Sequence, residues 1–331
     1  TISIIIIFLL TISAVFAAVM LLLNRKLNQP IRLLAEGMRK FGAGDSNRVD
    51  YRTKDEIGEL ITHFNNMKKE IEGKRKAIEA VQKSREYMIS AISHDLKTPL
   101  TAIRAYAETL TAEENLDSQS IKDKAQGIVA KSDYLQQMID DLMMYNLLTT
   151  EYQMNFITLE GSELFEMLFS GYEESCRAKK IKLTSDIAVR GEYQADVRQM
   201  TRVIDNLIAN AIQHTPEEGH IRLGAFSQDA PLPDWLEQTV AVEIRQWKNH
   251  GLLIVVENEG QGIPKQEKER IFQPFYQSDV SRNKKSWIGV GLGLSIVRLI
   301  MEKHRGEIRL FSEEAGTVFA CWLPMKQKEN G

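Results

Sequence analysis

The sequence predicts a multidomain chain: one transmembrane helix, then all-α modules ending in a helical hairpin that closes as a dimeric four-helix bundle, then an α+β sandwich. Three observations predict it. Residues 1–23 carry no charge, apolar residues between Ile57 and Leu142 recur at three- and four-residue spacing, and from about residue 155 strand-like and helix-like runs alternate. A length of 331 residues, 43% hydrophobic and 26% charged, suffices for two or three folded units. The net charge of -3 gives no support to nucleic-acid binding, where a basic excess is expected. Cys176 and Cys321 form no C-x-x-C pair, which fits a reducing compartment, and the six histidines show no metal-ligand spacing.

Taken in order, residues 1–23 as a helix would span roughly 35 Å, enough for a hydrocarbon core of about 30 Å and so for contact with membrane lipid. A signal peptide is the weaker reading, because no basic region precedes the run and its apolar core is too long. Arg25 and Lys26 follow, so the positive-inside rule places the rest in the cytoplasm. The chain begins at Thr1, and a sensing region is expected ahead of the span. Pro30 opens a short amphipathic helix with Ile31, Leu34, Met38 and Phe41, broken by Gly42 and Gly44. A second seam runs through Ile57, Leu60, Phe64, Met67, Ile71, Ile78, Val81, Met88 and Ile92, with Lys74 and Arg85 as imperfections. No independent core is visible between residues 45 and 90, so a parallel dimeric rod is preferred over a helix lying on a globular core.

The next stretch is Ser93-His94-Asp95-Leu96-Lys97-Thr98-Pro99-Leu100. Ile89, Ile92, Leu96, Leu100, Ile103, Ala107 and Leu110 have helical spacing and are expected in a core, which turns His94 about 200° away into solvent. A carboxylate stands beside the imidazole and a hydroxyl one turn on. Pro99 removes a backbone donor and is expected to bend the helix. Ile121, Ala125, Ile128, Leu135, Ile139 and Leu142 mark the second helix. Two such hairpins would make a four-helix bundle, hence a homodimer.

Beyond residue 155, strands are expected at Ile181–Ile187, Ile221–Phe226, Val240–Arg245 and Leu252–Glu257. Helices are expected at Gln199–Ile212 and Ile296–Lys303, with a closing hairpin from Glu307–Phe311 and Val318–Leu323. Helices should cover one face of a mixed sheet. The stretch Ser227–Gln238 is longer than a hairpin loop needs. Three segments carry polar or glycine-rich chemistry: Asn206 and Asn210 one turn apart on a helix, Asn258-Glu-Gly260-Gln-Gly262 after a strand, and Gly289-Val-Gly291-Leu292-Gly293-Leu294 opening a helix. Amide oxygens suit Mg²⁺, and backbone N–H groups at a helix start suit phosphate.

In that order, with Ile271-Phe272 and Phe275-Tyr276 between them, these segments resemble the ATP-binding domain of sensor histidine kinases. The His94-to-Leu100 stretch resembles the phosphoacceptor motif of the same kinases. The segment Pro30–Ile71, with Asp55-Glu56-Ile-Gly-Glu-Leu and Phe64-Asn65-x-Met67, is similar to the HAMP relay. The resemblance implies a transmembrane helix (1–23), a HAMP relay (24–76), a dimerisation and phosphoacceptor domain (77–150) and an ATP-binding domain (151–331). It further implies His94 as nucleophile, Asp95 as the partner of its other ring proton, and Thr98 as a water-orienting group for regulator dephosphorylation. ATP and Mg²⁺ would be held by Asn206, Asn210 (the metal ligand), Gln213, His214, Asn258, Gly260, Gly262, Arg282, Gly289, Gly291, Leu292, Gly293 and Leu294. The partners implied are a second copy and a cognate response regulator.

This sequence departs from the family pattern at several of those positions. Asn258 stands where an aspartate usually reads adenine, and Gln213 and His214 replace a basic and an aromatic residue. Gln277 replaces a frequent basic residue, which leaves Arg282, Lys284 and Lys285 as cations for the phosphates. Two other outputs stay open on sequence: a phosphatase-dominant sensor with weak kinase activity, and a non-transferring ATPase switch.

Overall fold

The structure, a computed structural model, describes residues 2–44, 47–51, 55–112, 117–150, 152–247, 251–277, 291–313 and 316–324. The chain divides into two compact units, residues 1–87 and 88–331. In the first, α1 (Ile2–Leu23) is uncharged throughout and unburied, and is long and apolar enough to cross a membrane. A π-type turn (Asn24–Asn28) leads into α2 (Gln29–Gly42), which has proline in its first turn. The long α3 (Glu56–Ala112) follows and continues as helix through Pro99.

The expectation that residues 45–90 lack a core of their own is corrected here. Val49, Ile61 and Phe64 are buried, with Leu34, Phe41, Tyr51 and Ile57 packed around them. The Asn65 amide clamps the connector at Val49, donating to its carbonyl at 3.0 Å and accepting from its N–H at 3.1 Å. Lys68 donates to the Asn47 carbonyl and lies over the Phe41 ring. The seam read from spacing therefore splits into two stripes. Ile57 and Phe64 close this unit, whereas Leu60, Met67, Ile71, Ile78 and Val81 are exposed.

In the second unit, the end of α3 pairs in sequence with α4 (Ser118–Thr149), whose N-terminus is capped by Asp117 accepting from the Ser120 N–H. Ile92 and Leu96 pack against the core as expected. Ile89 and Leu100 do not: they are 56% and 60% exposed.

The α+β portion holds β1 (Ile157–Glu160), α5 (Gly161–Phe169), α6 (Glu173–Ala178), β2 (Lys182–Ala188), β3 (Glu192–Ala195), α7 (Val197–His214), β4 (His220–Ser227), α8 (Gln238–Trp247), β5 (Leu252–Glu259), α9 (Gly293–Lys303), β6 (Glu307–Glu313) and β7 (Gly316–Leu323). Strands β1 and β3 form a small antiparallel ladder. The main sheet has the order β2-β4-β5-β7-β6, with only the β2–β4 pair parallel. Its first face (Ile221, Leu223, Leu252, Ile254, Val256, Phe319, Cys321) is sealed by the apolar rows of α7 and α9. Buried Asp196 caps α7, accepting from the Gln199 N–H at 3.2 Å.

Two expectations fail in this portion. Val240–Arg245 is not a strand but the middle of α8, and helices cover both faces of the sheet, not one. Both errors have one cause. Phe226, Leu253, Val255, Val318 and Ala320 form a second apolar face, which must also be kept from water. Val240 and Ile244, four residues apart, lie on it together with Leu236, while Val242 points outward, 46% exposed. The long connector after β4 supplies this cover.

His304, fully buried at the end of α9, links the helix to the start of α7. Its Nε2 accepts from the Asp196 N–H at 3.1 Å, and its Nδ1 lies 2.8 Å from the Ile300 carbonyl. That geometry requires the neutral tautomer with hydrogen on Nδ1. Burial pushes its pKa below the usual 6.5, against the Ile300 hydrogen bond and the charge of Asp196. Below pH about 6.5 the unfolded chain therefore binds more protons than the folded one, and stability is lost as pH falls through this window. Thermal unfolding between pH 7.5 and 5 should show this loss. His304→Gln should flatten the dependence while costing about 1–3 kcal/mol at neutral pH from the disrupted pair of hydrogen bonds.

Candidate functional site

Two constellations carry the chemistry. On α3, the His94 side chain is 82% exposed, and its Nδ1 lies 3.0 Å from Asp95 Oδ1, with the Asp95 side chain 28% exposed. A carboxylate accepts only, so Nδ1 carries the hydrogen, and Nε2 keeps its lone pair facing solvent. Thr98 Oγ1 donates to the His94 carbonyl at 3.4 Å. Tyr134 on α4, absent from the sequence reading, senses the same carboxylate. Burial raises its phenol pKa, and the charge of Asp95 adds to the shift.

The second constellation lies where α7, the end of β5 and the start of α9 meet. Met200, Val203, Ile204, Leu207, Ile208 and Ala211 bury one side of α7. Asn206 and Asn210 sit at the edge of that buried face, half-buried and one turn apart. Asn206 Nδ2 donates to the Arg202 carbonyl at 2.8 Å, which directs its oxygen toward α9. A β-carbon on Gly293 would lie 2.5 Å from Asn206 Oδ1, so only glycine admits this approach. Among the described residues the Asn210 side chain has no hydrogen-bond partner, leaving its oxygen available as a ligand. Gln213 is half-buried beside it, and His214 is exposed at the helix end. Lys179 closes that end, donating to the carbonyls of Ile212, Gln213 and Thr215.

Asn258 is 3% exposed on β5 and belongs to the strand row that faces α7. Its Nδ2 donates to the Glu259 carbonyl at 3.3 Å. The register places Ile221 and Thr317 on either side of it. Thr317 is buried and was missed in the sequence, where only the long-range β5–β7 register could have revealed it. The turn after β5 closes on α7: a β-carbon on Gly260 would meet the His214 carbonyl at 2.5 Å. Gly262 follows on the same turn, held where the Ile263 N–H donates to Ser312 Oγ at 2.7 Å.

At the start of α9, Gly291 has φ +75°, and a β-carbon there would press on the Tyr276 carbonyl and the Phe275 backbone. The Phe275 N–H donates to the Gly291 carbonyl at 2.9 Å, with Phe275 itself at φ +63°. Leu292 is buried and Leu294 half-buried, so both anchor the helix start. Among the described residues no side chain caps α9, so the first-turn N–H groups are available to an anion there. The structure thus brings together Asn206, Asn210, Asn258, Gly260, Gly291 and Gly293. Arg282, Lys284, Lys285 and Gly289 lie outside the described residues.

Comparison with known proteins follows this layout. Residues 195–327 match the family model of histidine kinase-, DNA gyrase B- and HSP90-like ATPases. Residues 84–151 match the His kinase A phosphoacceptor domain, and residues 22–73 match the HAMP domain. In this order the three matches are the domains found together in bacterial sensor histidine kinases, and jointly they cover most of the chain. It is 29% identical over 303 residues to the sensor histidine kinase YclK of Bacillus subtilis, covering 90% of this chain and 59% of that one. It is 26% identical to WalK of the same organism, covering 86% and 45%. The chain thus spans about half the length of these relatives. The fold is shared with the histidine kinase ThkA, solved in complex with response regulator protein TrrA (TM-score 0.57, 23% identity, 79% of this chain and 67% of that one). It is also shared with AdeS of Acinetobacter baumannii (TM-score 0.50, 18% identity, 71% and 98%).

Gly293→Ala should displace Asn206 and weaken nucleotide binding about tenfold with little loss of fold, because the obstacle is a side chain. Gly291→Ala meets backbone at a left-handed φ and should also cost about 1–3 kcal/mol of stability. Titration with a fluorescent ATP analogue, alongside thermal melts, separates the two effects.

Proposed function

We propose that the chain is a membrane-attached homodimeric kinase that transfers the γ-phosphoryl group of ATP to His94 and then to an aspartate of a response regulator. The observation that carries this reading is a solvent-facing imidazole, held at Nδ1 by Asp95, in the same chain as an asparagine and glycine cradle with an uncapped helix start. The residues present fit Mg²⁺ with a triphosphate. Among the described residues Asn210 has a free amide oxygen, Asn206 borders the glycine start of α9, and the close approaches at Gly260 and Gly293 leave no room for side chains without a shift. Bound there, Mg²⁺ supplies charge neutralisation for the phosphates.

The protein's own part is mostly positioning. Asp95 keeps hydrogen on Nδ1, so Nε2 attacks as an unprotonated nucleophile. The N–P bond forms as the bond to the ADP oxygen breaks, and the imidazolium that results is stabilised by the same carboxylate. The first-turn N–H groups of α9 face the phosphates, and Asn258 accepts from the adenine amino group. Thr98, one turn from His94, orients water for regulator dephosphorylation once its hydroxyl leaves the His94 carbonyl. The apolar character of α1 supports membrane attachment, and the exposed stripes on α3 and α4 support a homodimer. The regulator reported with ThkA supports a receiver aspartate as the final acceptor.

Incubation of the full chain with labelled ATP and Mg²⁺ should give acid-labile, base-stable label. His94→Gln should abolish the label and leave nucleotide affinity unchanged. Asn210→Ala should abolish label and Mg²⁺-dependent binding together. Label that survives in His94→Gln would end the proposal.

Asn258 gives a second expectation. Asn258→Asp adds charge to the adenine contact, and charged hydrogen bonds exceed neutral ones by about 1 kcal/mol. ATP affinity should therefore rise roughly fivefold to tenfold, read by the same titration.

A further inference from the structure

Strand β6 lies at the end of the main sheet, and β7 is its only strand partner among the described residues. In an antiparallel pair every second residue turns its N–H and C=O away from the neighbour, so the outer edge of β6 presents hydrogen-bonding groups. Among the described residues no helix lies across that edge. Instead α8 flanks it on one face of the sheet, and α9 with the 270–272 turn flanks it on the other, leaving a cleft of about 630 Å³ floored by residues 307–312. The cleft is built by the segment between β4 and β5 as much as by the ATPase fold, since α8 forms a whole wall.

Edges of this kind are usually blunted by charged side chains standing across them. Glu307 and Arg309 are the obvious candidates, yet both are drawn aside. Arg309 lies 4.6 Å over the Trp247 ring of α8, and its Nε donates to Glu307 at 3.2 Å. At the far end Lys268 donates to the Ser312 carbonyl at 2.8 Å. This stops the free edge near Phe311 and leaves room for about five residues of strand, roughly 17 Å.

The walls define the occupant. An added strand points successive side chains to opposite walls. The α8 wall offers Val240 and Glu243, and the α9 wall offers Phe272 and Glu302. The cations of the cleft are engaged: Arg298 stacks on Phe272 and bonds Glu269, Arg309 bonds Glu307, and Lys268 is held by Ser312. Glu243 and Glu302 have no ion pair among the described residues, one on each wall. We infer that the β6 edge is a docking site for an extended segment of another protein, added as a sixth strand, with apolar residues and one lysine or arginine toward each wall.

The probe is a fluorescein-tagged, end-capped peptide, Val-Lys-Thr-Val-Lys-Val, read by anisotropy against the full chain in nanodiscs. It should bind in the micromolar range, and a version with glutamates for lysines should bind at least about tenfold more weakly. N-methylation of alternate amides along one edge should abolish binding. Glu243→Lys and Glu302→Lys should each weaken it about fivefold while leaving fluorescent ATP analogue affinity unchanged, which shows that the domain is intact. Equal binding of the glutamate or N-methylated peptide, no effect of either substitution, or no binding at about 1 mM overturns the inference. Self-association of the chain that the peptide competes away assigns the edge to a second copy and overturns it as well.

Discussion

Helix α7 must do two things that share one geometry. Its six apolar side chains, from Met200 to Ala211, are sealed against the sheet, and that burial fixes its rotation about its own axis. With the rotation fixed, Asn206 and Asn210 can emerge only along the margin where β5 ends and α9 begins. The remaining parts of the site are then close approaches of backbone to this helix. Gly260 lets the turn after β5 reach the His214 carbonyl, and Gly293 lets α9 start against Asn206. Lys179 satisfies three carbonyls at the end of α7, so the helix stops beside the turn after β5. The nucleotide chemistry thus rests on an ordinary packing interaction.

The acceptor side has the opposite construction. His94 is left in solvent, while Asp95, 3.0 Å from its Nδ1, is partly shielded and lies near Tyr134. A partly shielded carboxylate loses less to competing water than an exposed one, so the tautomer of an exposed ring is set by a better-shielded neighbour. This explains why neighbouring residues on one exposed turn can differ so much in burial.

The site was legible in the sequence where its parts are local. Asparagines one turn apart, glycines at a helix start and a histidine beside an aspartate can each be read within ten residues. What escaped depended on distant pairing. Thr317 reaches Asn258 only through the β5–β7 register. The segment Val240–Ile244 alternates at period two and also repeats at four, and sequence alone does not choose between them. The second apolar face of the sheet decides for helix. The seam of α3 was misassigned for a related reason: spacing finds apolar positions but does not say which partner takes each. Ile61, outside the seam, is the most buried residue of the first unit's core, while Leu60 beside it is bare.

Helix α4 carries the same division in a form that matters for signalling. Met138, Met144 and Leu148 are buried in the core that includes Leu164, Val203 and Leu207. On the same turns Ile139, Met143 and Leu147, spaced by four, are 44%, 60% and 47% exposed. Burying each such side chain is worth about 1.5–3 kcal/mol, so a bare row of this kind is a strong reason for a second chain to cover it. In the proposed dimer, one row of α4 would pack on the partner and the next row on the nucleotide-binding domain. Close-packed cores do not deform continuously, and a turn of α4 that repacks one row must repack the other. The dimer seam and the core that carries α7 would then be coupled through one helix, because the buried row of α4 belongs to the core that includes Val203 and Leu207.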